Sequence, residues 1–180
     1  MFQCNHCGAQ FLEHKTNCPN CGALIKAIPL AEIDLPGRET VKTGDGLISS
    51  IRAICTGFEE IQRLRIDDTI DQKRMKTVRY EFNIPTDERV IMVYDDTLWG
   101  NNKKGFAICQ GGLYWKNDWA VETKRSFLSW QDFTERSITL DGLNISLDRG
   151  DRLGTAGAGD TKVREQIVVM LNDIKGWLKN

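Results

Sequence analysis

Hydrophobic and polar positions along this chain change period twice. Over residues 46–66, GLISSIRAICTGFEEIQRLRI, the positions Leu47, Ile51, Ile54, Phe58 and Ile61 recur at steps of four and three, which places them on one face of a helix. Gly57 interrupts the run and marks a point where it breaks. Residues 67–83, DDTIDQKRMKTVRYEFN, predict a second helix. Asp67 and Asp68 suit its start, Ile70, Met75, Val78 and Phe82 form its stripe, and Pro85 lies just past its end. Beyond Pro85 the segments ERVIMVYDD, GFAICQ, GLYWKN, SFLSW, RSITL and LNISLD are short and rich in β-branched and aromatic residues. Gly111-Gly112 and Asp141-Gly142 separate two pairs of them as hairpin turns. The last element, 160–178, is an amphipathic helix with Asp160 as N-cap. Val163, Ile167, Leu171, Ile174 and Leu178 share its apolar face, with Met170 and Trp177 at the edge.

This succession predicts an α+β protein in which antiparallel strands form a small barrel or sandwich closed by the C-terminal helix. Residues 84–180 make up that domain and 46–83 a helical connector. Residues 28–45 hold two prolines and two glycines without period and read as a linker. The first 27 residues stand apart because four of the six cysteines fall among them.

Those four follow the pattern Cys4-x2-Cys7-x10-Cys18-x2-Cys21. Each Cys-x-x-Cys turn delivers two thiolates to one ion, and glycine follows each pair at Gly8 and Gly22, where the turn favours a left-handed residue. Four thiolates close a tetrahedral zinc sphere, whereas a catalytic zinc keeps a position open for water. The metal is therefore expected to be structural, one Zn2+ per chain. It supplies folding energy on the order of 10–16 kcal/mol to a module too short to bury a core of its own. The ten residues between the pairs suit a tight hairpin with Phe11 and Leu12 as its small core. His6 and His14 fit the doubled spacing less well than the cysteines and read as surface residues. Residues 2–25, with both knuckles, resemble the short zinc ribbons found at the starts of many bacterial proteins. Cys55 and Cys109 lie alone in apolar company, as small hydrophobes do.

Composition narrows the class of partner. Hydrophobic residues make up 41% and charged residues 27%, which is ordinary for a globular protein, and the net charge of -1 gives no field that steers the whole chain to nucleic acid or acidic membranes. No apolar run reaches the roughly 18 residues of a transmembrane helix. The start, MFQCNHCG, has neither a basic stretch nor a following apolar one, so a cytoplasmic location is the expectation. Lys73, Arg74, Lys76 and Arg79 alternate with Asp67, Asp68, Asp71 and Glu81, the pattern of a salt-bridged helix face. The ribbon carries two lysines and no arginine, too few cations for strong phosphate binding.

Two stretches imitate catalysis. GTAGAGDT, 154–161, matches a phosphate loop at Gly154, Gly159 and Thr161, but Asp160 stands where lysine belongs. It reads as a glycine loop before a capped helix. In VIMVYDDTLWG, 90–100, Asp95 and Asp96 adjoin, so strand alternation points them apart, and a solvated turn in which aspartate caps Thr97 or a nearby backbone N–H accounts for them. Both histidines lie in the ribbon, which leaves 28–180 without an imidazole to activate a cysteine or serine. No catalytic residue is assigned.

The segment 84–133 carries a second resemblance. Its pieces Ile84-Pro85, Tyr94-Asp95-Asp96-Thr97, Gly105-Phe106-Ala107, Gly112 to Asn117 and Leu128-Ser129-Trp130 resemble a segment that recurs in uncharacterised bacterial proteins, joined there to zinc ribbons or other small modules. The resemblance implies a pleckstrin-homology-like fold and transfers no catalytic site. In such a fold Trp115 and Trp130 pack inward, while Trp99, near Lys103 and Lys104, is exposed. Lipid binding at those lysines is disfavoured because Asp95 and Asp96 oppose them. The expectation is a non-catalytic adaptor whose partner is another protein, met by the loops near Trp99 and Trp119 or by an exposed edge strand. The alternative is nucleic-acid binding through the ribbon and the basic helix 73–79.

Overall fold

The computed structural model describes residues 44–97 and 100–180, together with the backbone of 2–3 and 10–11. The chain divides into two compact units, 1–39 and 40–180. In the first, β1 (Phe2–Gln3) pairs antiparallel with β2 (Gln10–Phe11), Phe2 opposite Phe11. Cys4 and Cys7 fall in sequence between these strands. The expected zinc ligands Cys4, Cys7, Cys18 and Cys21 and Trp99 lie outside the described residues, and of the hairpin expected between the knuckles only Gln10 and Phe11 are described.

The second unit is built on a five-stranded antiparallel sheet in the order β3 (Leu64–Ile66), β4 (Val90–Asp95), β5 (Gly105–Cys109), β6 (Gly112–Lys116), β7 (Phe127–Ser129). Its central strands are apolar on both faces because both faces are covered. On one, Met92, Tyr94, Phe106, Ile108, Leu113, Trp115 and Leu128 join a large core. This core includes Leu47, Ile51 and Cys55 of α1 (Asp45–Thr56) and Ile167, Leu171 and Ile174 of α4 (Thr161–Lys179). On the other face Val90, Val93, Ala107, Cys109 and Tyr114 pack with Val78 and Phe82, brought by α2 (Gln72–Glu81) and the residue after it. The register steps between Val90, opposite Cys109, and Met92, opposite Ile108. Ile91 is thus the extra residue of a bulge, and it shares the large core with Met92.

A three-stranded sheet, order β10 (Arg152–Gly154), β9 (Asn144–Ser146), β8 (Thr139–Asp141), contributes Ile145 and Leu153 to the same large core. The helix α4 lies against α1, α3 (Trp130–Thr134) and strands β8 and β9. Beneath this corner Arg136 and Asp151, each 1% exposed, form a buried ion pair at 3.4 Å.

Mixed α+β architecture, antiparallel strands and the C-terminal helix match the expectation, but the barrel does not. The five-stranded sheet is open, with β3 and β7 at its edges. Both edge strands are three residues long and end at once. A 3-10 turn at Asp67–Thr69 follows β3, and Ser129 caps α3 by accepting from Asp132 N, so β7 passes straight into a helix. Neither edge is long enough to meet the other. The helix expected over 46–66 stops at Thr56, where Gly57 follows, and Leu64–Ile66 continues as a strand with Leu64 and Ile66 inward. The second helix is shorter than 67–83, with Asp71 as its N-cap. Residues 46–83, expected as a helical connector, pack on the sheet: they cover both its faces and add its first strand. Trp115 and Trp130 are buried, as expected.

Candidate functional site

The two stretches that imitate catalysis come together at the end of β4. Asp95 turns inward and is 5% exposed. Its Oδ1 accepts from Thr97 N at 2.9 Å and Thr97 Oγ1 at 2.5 Å, and its Oδ2 from Asn102 N at 3.0 Å. Both oxygens are consumed in closing the loop to β5, so Asp95 is a capping residue, in a buried rather than a solvated turn. Asp96 points the other way, to the glycine loop: its Oδ1 accepts from Gly157 N at 2.8 Å. Arg63 Nη1 donates to Gly157 O at 2.6 Å, which holds the same residue through its other backbone group. A Cβ at Gly157 would lie 2.1 Å from Asp96 O, so only glycine permits this approach. Burial pushes the Asp96 carboxyl up to about 7, against the opposing effects of the Gly157 N–H and Arg63. The glycine loop therefore receives an internal carboxyl where a phosphate loop would receive its ligand. Asp160 caps α4 through Lys162 N, as the sequence implied.

Beside this latch a cleft of about 490 Å³ is lined by Asp96, Lys103, Lys104, Asp118 and Gly157. Lys104 pairs with Asp118, and that hydrogen bond holds the Asp118 carboxyl below its ordinary range. Asp118 opens the loop 118–126 that follows β6. Asn117 fixes the start of this loop, donating from Nδ2 to Arg152 O and accepting at Oδ1 from Gly154 N, both at 2.8 Å. Thr123 holds the far side, accepting from Trp115 Nε1 at 3.4 Å and donating to Arg125 O at 2.9 Å. Between these anchors Trp119 is 94% exposed. Across a groove of about 630 Å³ from it lie Tyr80, 82% exposed, Glu81 and Asn83, at the end of α2. Glu81 is paired across the groove to Lys116.

The remaining sequence candidates are dispersed. Cys55 and Cys109 are buried in different cores, where burial pushes both thiols up, Cys55 to about 12. Of the basic cluster on α2, Arg74 pairs with Asp71 at 3.2 Å, and Arg79 donates to Pro85 O and Glu88 O. Lys73 and Lys76 remain as its exposed cations. Among the described residues no three His, Cys, Asp or Glu side chains gather as a metal site, and no helix is long and apolar enough to cross a membrane. No protein-family model, curated protein or solved structure matches the chain.

Sequence reasoning named Trp119 but missed Tyr80 and Gly157. Tyr80 stands off the apolar stripe of α2, and an exposed tyrosine on a helix carries no signal until the helix is docked. Gly157 could be singled out only as one glycine of a loop.

Proposed function

We propose that this chain is a non-catalytic adaptor that binds another protein through the face around Trp119. It combines a structural zinc ribbon, held by Cys4, Cys7, Cys18 and Cys21, with a pleckstrin-homology-like unit, and it acts in the cytoplasm. The observation that carries this reading is the presentation of Trp119. A tryptophan that is 94% exposed gains nothing for the fold, yet its loop is anchored on both sides. Rigid, solvent-facing aromatics next to a groove are what protein interfaces use as anchors, because they bury much area on docking and lose little freedom. The use of Asp95 and Asp96 as loop supports, and of Cys55 and Cys109 as core, favours binding over catalysis.

The test is affinity capture from native lysate, with and without nuclease treatment, using the intact chain, Trp119→Ala and Tyr80→Ala, read by quantitative mass spectrometry. A protein retained by the parent chain and lost from both variants is the expected result. An identical set of captured proteins from all three would remove the docking reading. Captured material that vanishes with nuclease would favour nucleic acid and the cations of the ribbon and α2.

A further inference from the structure

We propose that the groove beside Trp119 receives a cationic, arginine-bearing extended segment of the partner protein. This rests on the docking reading above and adds the chemistry of the occupant. Glu81, Asp118 and Glu122 line the groove with one cation, Lys116, and Asp118 is already neutralised by Lys104 beside it. Lys116 is already paired with Glu81, and Glu122 has no charged partner among the described residues. The last two residues of α2, Tyr80 and Glu81, end at this groove, so the negative end of the helix dipole adds to the carboxylates. An acidic segment meets like charge here, and an apolar one would cover Glu122 without pairing it. The exposed rings of Trp119 and Tyr80 then select among cations. A guanidinium is planar and weakly hydrated, stacks on aromatic rings and donates several hydrogen bonds to carboxylates at once. Arginine therefore fits the combination of two exposed aromatics and an unpaired acid better than lysine does.

The experiment titrates the intact chain with two capped peptides, Gly-Arg-Gly-Arg-Gly and Gly-Glu-Gly-Glu-Gly, by calorimetry at low and high salt. The arginine peptide is expected to bind, to weaken as salt rises, and to lose roughly fivefold or more in affinity in Trp119→Ala. A loss of similar size is expected in Glu122→Lys, and both variants should melt with the parent because both positions are on the surface. Equal binding of the two peptides, or arginine-peptide binding indifferent to Trp119→Ala, would overturn the proposal. The two readings separate cleanly. If Trp119→Ala abolishes capture of the cellular partner while the arginine peptide fails to bind, the docking face stands and its cationic occupant falls. If capture is indifferent to Trp119→Ala, the docking face falls as well.

Discussion

Replacing Asp96 with asparagine separates a loop latch from a chemical carboxylate. The substitution keeps an oxygen for the Gly157 N–H and removes the ionisable group. Burial pushes the carboxyl from an ordinary 3.8 up to about 7 in the folded chain. A folded-state pKa above the unfolded one means that the folded chain holds the proton more tightly. The stability this contributes is complete below about pH 4 and is lost as pH rises through about 7. At ~1.4 kcal/mol per pH unit, the loss is at most about 4 kcal/mol. Asp96 keeps some contact with the solvent of the cleft, which reduces the figure to about 1–2 kcal/mol. Asparagine does not titrate, so the variant escapes the loss. In urea unfolding followed by circular dichroism, the stability of Asp96→Asn relative to the parent should grow from pH 4 to pH 7 and level off above. With a slope of ~2 kcal/mol per molar urea, the relative midpoint should move by about 0.5–1 M across that window. Effects of other groups titrate alike in both chains and cancel. A difference that is flat with pH, or a variant weaker than the parent at pH 8, would show an ionised Asp96 whose charge holds Arg63 and Gly157. Partner capture by the variant at pH 7 should match the parent; its loss from a folded variant would move Asp96 from support to chemistry.

Purified chain should contain one zinc by elemental analysis, and Cys4→Ser should lose it while the unit 40–180 keeps its unfolding midpoint. Arg136→Met should destabilise that unit by about 3–5 kcal/mol in urea unfolding, because it leaves Asp151 charged and buried; the double variant Arg136→Met/Asp151→Leu should recover most of the loss. Gly157→Ala should lower the thermal midpoint, since the new methyl must displace the Asp96 backbone, and it should do so without changing the midpoint shift caused by Arg136→Met. Cys55 and Cys109 should resist thiol reagents in the native chain and react at the unfolding rate, as buried thiols with raised pKa values do.

How much of this was legible depended on how local the cause was. The helix α4 and strands β4 to β6 announce themselves because each carries its own period or an unbroken apolar run. The turns at Gly111 and Gly142 are equally local, and Gly142 takes the positive φ of 60° that its hairpin requires. β3 was missed although Leu64 and Ile66 alternate with Arg63 and Arg65, because three residues after a helical pattern read as its continuation. α3 was missed because SFLSW runs as a strand to Ser129, and the helix that Ser129 then caps has only five residues. β10 carries one buried large side chain, Leu153, in a polar stretch. The opposed directions of Asp95 and Asp96 follow from strand alternation alone. What Asp96 faces does not: Gly157 lies 61 residues further on, and the packing of β10 against β5 and β6 brings it there. The groove of Trp119 likewise exists only once α2 has covered the second face.

The bulge at Ile91 bears on how this sheet tolerates changes in chain length. Val90 and Met92 keep partners, Cys109 and Ile108, that are themselves adjacent, so residue 91 is a loop of one residue set inside a central strand. Removing it would leave an unbroken ladder, with every other side chain of β4 on its present face. The penalty would be that of one buried isoleucine, about 2–5 kcal/mol, and not a misthreaded sheet. A single-residue gap at this point, in a strand buried on both sides, is therefore compatible with an unchanged architecture, whereas the same gap at Val93 or Ala107 would exchange the two cores.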